Sequence, residues 1–132
     1  MGSFLDLNVG DAVEYKPVPA GEYQLKVVKA ELKEQKPEKG TGRYISVRLI
    51  LVDDPYAKDV NYVMMLPSSD NDAKTVNNRK LNISRFIQAM GEDPSAQIDL
   101  DTWEGNTLWA ILKEVSDDYG DKNEIKSVIV RK

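Results

Sequence analysis

The sequence contains neither cysteine nor histidine. Without cysteine no disulfide can staple the fold, and without both residue types zinc sites built from them are excluded. The lack of histidine also removes the side chain that most often serves as general base near neutral pH. No apolar run approaches the roughly 20 residues that a membrane-spanning helix needs. The opening Met1-Gly2-Ser3-Phe4-Leu5-Asp6 has no basic stretch leading into an apolar one, so no signal peptide is expected. These absences lead to the expectation of a soluble, intracellular protein with no membrane partner.

Catalytic motifs are missing as well. The chain has no G-x-S-x-G, no G-x-x-x-x-G-K-[ST] and no G-x-G-x-x-G. Gly40-Thr41-Gly42 is too short to cradle phosphates and does not open a helix. Asp70-Asn71-Asp72, and Asp117-Asp118 with Asp121, lack the spacing and closing glutamate of a calcium loop. The acidic residues stand mostly in turns, where they serve solvation. A non-catalytic protein is expected, with no metal and no cofactor.

What is present fits a single domain of 132 residues. At that length folding buries roughly two thirds of the unfolded surface, enough for one core. The formal charge is −4 and is unevenly spread. From Tyr23 to Arg48 seven basic residues stand against three acidic ones, a balance of +4. From Glu92 to Asp121 nine acidic residues stand against one lysine, a balance of −8. The basic stretch has two readings: local attraction of a polyanion, or charged strand faces in water.

Periodicity gives the elements. Residues 1–18 carry little pattern and read as an N-terminal arm, with the domain proper spanning 19–132. Glu22 onward alternates with Tyr23, Leu25 and Val27 on one face. The phase then flips to Val28, Ala30 and Leu32, as a β-bulge or sharp bend would make it. Lys33 to Gly42 reads as a loop and Arg43 to Val52 as a second strand, with Ile45, Val47, Leu49 and Leu51 facing one way. Val60 to Leu66 is a third strand. Asp72 is a plausible N-cap for a helix with Val76, Ile83, Phe86, Ile87 and Met90 on its apolar stripe. The pair Asn77-Asn78 delays its start to about Arg79 if poor helix propensity decides. Gly91 and Pro94 end it. Trp103 to Glu114 reads as a fourth strand, 117–123 as a hairpin loop, and Ile125 to Arg131 as a fifth strand.

The order β-β-β-α-β-β predicts a mainly β fold: a five-stranded Greek-key OB-fold barrel with one helix between strands three and four. In that fold the face of strands two and three, flanked by the loops after strands one and four, binds oligonucleotides or oligosaccharides. The second strand supports it, because Tyr44, Ser46, Arg48 and Ile50 point away from the apolar set and offer an aromatic ring beside a cation. An ordinary half-exposed aromatic is the alternative for each ring. Trp103, before a glycine turn, suits a plug at a barrel end, Met64 and Met65 suit core filling, and Phe86 suits the core.

Five segments together resemble a family. Pro19 to Val27, Gly42 to Leu49, Ile87-Gln88-Ala89-Met90-Gly91, Trp103-Glu104-Gly105-Asn106 and Tyr119 to Ile125 occur in the order seen in small bacteriophage OB-fold single-stranded DNA-binding proteins. The resemblance spans most of residues 19–130. It implies sequence-independent coating of single-stranded DNA in phage DNA replication or recombination. It further implies replication or recombination proteins as partners, and the cytoplasm of the infected bacterial host as location. Many such proteins end in a flexible acidic tail, whereas this sequence ends Ile129-Val130-Arg131-Lys132. On this reading Tyr44 and Tyr62 stack on bases and Arg48 meets phosphates. Lys33, Lys36, Lys39 and Arg43 close over the backbone, and Trp109, Lys113, Tyr119 and Lys122 hold the other side. Strand Val60–Leu66 offers an edge for pairing in a homo-oligomer.

Two other readings use the same residues. An OB-like or sandwich module of a phage assembly that binds protein suits the acidic balance and would expose an apolar patch or edge strand. A carbohydrate-binding barrel also uses exposed aromatics and would be insensitive to salt.

Overall fold

The structure, a computed structural model, describes residues 2–35 and 42–130. It is mainly β, with five strands and one helix: β1 (Gly21–Glu34), β2 (Arg43–Leu51), β3 (Val60–Met65), α1 (Ala73–Ala89), β4 (Thr107–Asp117) and β5 (Gly120–Val128). All pairings are antiparallel and the sheet order is β3-β2-β1-β4-β5. Three consecutive strands with the fourth returning beside the first make a Greek key. The sheet is open. Its edge strands β3 and β5 approach one another, but no ladder joins them among the described residues.

The phase flip in β1 is a bulge. Val27 pairs with Leu49 and Lys29 with Arg48, so Val28 is the extra residue. Val27 also donates to Asn106 O at 2.9 Å and accepts from Gly105 N at 2.8 Å, tying the bulge to the turn before β4. Leu25, Val27 and Ala30 therefore all face the core with Ile45, Val47, Leu49 and Leu51 of β2. That β2 set is the apolar face expected from its alternation.

Helix α1 begins at Ala73, not near Arg79. Asp72 caps it, its carboxylate accepting from Thr75 N at 2.7 Å, and that cap with burial further along outweighs the weak propensity of Asn77-Asn78. At the other end Gly91 takes φ +82°. Glu92 N bonds to Ile87 O and Gly91 N to Gln88 O, closing the helix with a Schellman motif. Ile83, Phe86, Ile87 and Ala89 are buried. Phe86 lies between two rings, with centroids 5.6 Å from Tyr62 and 5.4 Å from Trp103.

Several strand boundaries differ from expectation. Trp103 is not in β4. It follows a single 3-10 turn at Leu100–Thr102 and is 1% exposed, and Gly105 turns at φ +89° before the strand starts at Thr107. Trp103 is buried, as expected, but against the helix ring of Phe86 in an open sheet. The hairpin loop shrinks to Asp118-Tyr119, and β5 starts at Gly120. Asp117 accepts from Tyr119 N at 2.8 Å and Gly120 supplies φ +111°. Beyond Leu112 this hairpin runs past the end of β1, which pairs with β4 only from Gly21 to Lys26. With no third strand beside it among the described residues, the hairpin needs little apolar alternation, so its polar residues look like loop.

Residues 2–15 enter no strand ladder, and Phe4, Leu5, Leu7 and Val9 are each at least 70% exposed. The chain docks at Lys16, which bridges to Ala57. At Val18 the buried Asn123 side chain accepts from the backbone N–H and donates to the backbone carbonyl, both at 2.8 Å.

Candidate functional site

The core-facing alternation of β2 fixes what lies on its other side. Register then assembles rows across β1, β2 and β3. Lys33 aligns with Tyr44 and Met65, Glu31 with Ser46 and Val63, and Lys29 with Arg48 and Asn61, while Lys26 lies opposite Ile50. This outer face carries four cations and a half-buried tyrosine ring, with Val63 53% exposed among them. Glu31 sits between two lysines, 2.7 Å from Lys29 Nζ and 3.6 Å from Lys33 Nζ. The hydrogen bond from Lys29, reinforced by the charges of Lys29 and Lys33, holds its carboxyl below the ordinary value. Arg48 reaches Asp59 at 3.6 Å. These pairs are solvent-exposed, so they cost little to exchange for another anion.

The expected site residues divide. Tyr44 and Arg48 share the outer face, as their phase requires, and Lys33, expected in the loop, joins them because β1 runs on to Glu34. Tyr62 does not join them. It lies opposite Val47, packs its ring on Phe86 on the helix side of the sheet, and burial pushes its hydroxyl pKa up. The loose alternation of β3 hid this, because Val60, Tyr62 and Met64 form its core-facing set and Val63 and Met65 the outer one. Arg43, one residue out of phase with Tyr44, also leaves that face and pairs opposite Glu34 at the strand start. Lys36 and Lys39 lie outside the described residues.

The second flank lies elsewhere. Glu34 pairs with Arg43 at one end of β1 and Gly21 with Leu112 at the other, so the β1–β2 loop and the β4–β5 hairpin leave the sheet from opposite ends of β1. Lys113 pairs with Glu124 at 3.8 Å, and Lys122 with Asp117 at 2.9 Å and Glu124 at 3.6 Å. Tyr119 is 97% exposed at the hairpin tip. Trp109 is half-buried beside Gln24, on the outer side of β4, where Leu108, Ala110 and Leu112 face the core. It lines two small recesses of about 190 and 230 Å³, the larger bordered by Glu22, Asp53 and Asp54. Those carboxylates disfavour phosphate there. Lys26, Lys29 and Asn61 extend the outer face and were missed in the sequence. The face of Lys29 is set only by the bulge, and that of Asn61 by the register of β3.

Among the described residues no group of three or more acidic side chains converges as metal ligands, and no helix is long and apolar enough to cross a membrane.

A family model described as "Protein of unknown function (DUF669)" matches residues 6–126. The chain belongs to the DUF669 family. The match takes in β1 to β4, α1 and most of β5, and so every row of the outer face. It also includes the exposed arm from Asp6 onward. No curated protein matches the chain.

Proposed function

We propose that this DUF669 protein binds single-stranded DNA without sequence preference, as a non-catalytic OB-fold protein. The carrying observation is the outer face: Tyr44 with Lys26, Lys29, Lys33 and Arg48 on one side of one antiparallel sheet, with the Glu31–Ser46 row between Tyr44 and Arg48. An aromatic ring supplies a stacking platform that any base can use, and the cations track the phosphates. The Greek-key order, the helix between the third and fourth strands, and the approach of β3 to β5 support the OB-fold reading. With the sequence resemblance, they support a role in phage replication or recombination within the infected bacterial cytoplasm.

The test is titration with oligo(dT) at low and high salt, on wild type and on the double variant Tyr44→Ala with Arg48→Ala. A stacked base contributes ~1–3 kcal/mol, and loss of a phosphate contact adds to that. The variant therefore loses at least about tenfold in affinity. Its melting temperature stays close to wild type, since neither side chain faces the core. No binding by wild type, or equal binding by the variant, overturns the proposal.

A second reading, a protein-interaction module, is favoured by one observation. The arm leaves Phe4 94% and Leu5 85% exposed, and Leu7 and Val9, each 70% exposed, lie within the family match. Unchanged strand affinity with loss of a protein partner on deletion of residues 2–14 would select it.

A further inference from the structure

The helix side of the sheet holds a further recess. Where α1 meets β3 and β5, a recess of about 350 Å³ is lined by Tyr62, Asn82, Arg85, Lys126, Ser127 and two valines, Val128 and Val130. That volume lies in the range of small-molecule sites. Its charge runs against the net charge of the chain. In a protein with 22 acidic and 18 basic residues, the lining holds two cations and no carboxylate. Among the described residues neither Arg85 nor Lys126 enters an ion pair, although the other lysines of β5 and β4 do.

The remaining lining completes a chemical description. Arg85 offers a planar fork suited to a phosphate, and Lys126 a compact charge beside it. Asn82 and Ser127 add donors. The Tyr62 ring is backed by Phe86 at 5.6 Å, and Phe86 in turn by Trp103 at 5.4 Å, so the platform is rigid. Val128 and Val130 add apolar surface. β3 and β5 are the two edges of the sheet, and no ladder joins them among the described residues. A flat heterocycle with polar edges, joined to a phosphate, matches that combination.

We propose that this recess binds a nucleoside monophosphate unit, its base against Tyr62 and its phosphate between Arg85 and Lys126. The site uses none of the outer-face residues, so it stands or falls apart from strand binding across Tyr44. Its ligand has two sources, a free nucleotide or the phosphorylated end of a DNA strand.

The experiment is an NMR titration of the isotope-labelled full chain with dTMP, thymidine and inorganic phosphate. The expected result is saturable shifts at Asn82, Arg85, Ser127 and Val128 with dTMP, at least tenfold tighter than with either fragment. The variant Arg85→Gln with Lys126→Gln, both solvent-facing, keeps the wild-type spectrum elsewhere and loses at least tenfold in dTMP affinity. Oligo(dT) with and without a 5′-phosphate then distinguishes the sources. Shifts at the same amides with the phosphorylated strand identify the strand end, and shifts with dTMP alone identify a free nucleotide. Shifts confined to Tyr44, Ser46 and Arg48, inorganic phosphate as good as dTMP, or an unaffected double variant would overturn the assignment. Failure of unphosphorylated oligo(dT) to bind overturns the strand reading and leaves this one intact.

Discussion

Glu31 is the one carboxylate within the cationic rows, and it competes with any phosphate for Lys29 and Lys33. Glu31→Gln should tighten oligo(dT) binding by roughly two- to fivefold, the scale of exposed charge pairs. The pH dependence follows from the sign of its shift. Its pKa lies below the ordinary 4.5, so the carboxylate is fully charged at neutral pH. Wild-type affinity is then flat from pH 8 to pH 6 and rises only below pH 4.5, a rise that the glutamine variant lacks. Fluorescence titration across that range checks both, and a glutamine variant weaker than wild type would remove Glu31 from the interface. Tyr62 makes a converse case on the helix side. Burial raises its hydroxyl above the ordinary 10.0, so the unfolded chain ionises first. Its contribution is present in full below pH 10 and is lost as pH rises through the folded value. Melting curves from pH 8 to pH 11.5 should fall more steeply at the alkaline end for wild type than for Tyr62→Phe. Parallel curves would show that Tyr62 is not desolvated.

Among the elements, β5 holds the N-terminal segment to the sheet through one side chain. Asn123 is 2% exposed and mimics a strand edge toward Val18, with a third bond to Lys113 O at 3.3 Å. Asn123→Ala leaves the backbone groups of Val18 without these partners, at a cost of about 1–3 kcal/mol. Urea unfolding measures the loss, and hydrogen exchange at the Val18 amide should quicken by a larger factor than at Val47. Wild-type stability in that variant would mean that water or the neighbouring bridge at Lys16 replaces the clasp. The bulge in β1 works at the same scale. By absorbing Val28 it lets one strand serve β4 with its first half and β2 along most of its length, and it turns Lys29 onto the face of Arg48.

Over the whole molecule, charge sign separates by region. The outer face of β1 to β3 is cationic, while the β4–β5 hairpin holds Lys113 and Lys122 in ion pairs and the recess beside Trp109 is bordered by carboxylates. On the proposed reading a strand would meet three or four cations among the described residues of that face, Lys26, Lys29, Lys33 and Arg48, rather than a clamp of two loops. With about 0.7 counterions released per neutralised phosphate of single-stranded DNA, log Kobs against log salt should slope at about −2 to −3. A slope near zero would leave stacking or carbohydrate-like contacts as the source of affinity, and a much steeper one would bring further basic residues into the site. Of the two tryptophans, Trp103 is sealed in the core and Trp109 is half-buried, so a fluorescence change on binding reports on Trp109.

The sequence by itself determined the strand order, the helix between the third and fourth strands, the bulge after Val27 and the apolar face of β2. Each is local: a period of two or 3.6, a capping aspartate, a glycine stop. It also determined that Tyr44 and Arg48 share a side, because two residues four apart in one strand must. Only the tertiary structure decided which residues join them from other strands. The register of β3 turned Tyr62 onto Phe86 and brought Val63 and Asn61 to the outer face. The short overlap of β1 with β4 carried Lys113, Tyr119 and Lys122 to the far end of the sheet. Burial of Trp103 against Phe86 moved the start of β4 from Trp103 to Thr107. Register and burial depend on partners distant in sequence, and a strand shifted by one residue exchanges its two faces, so no local pattern contains them.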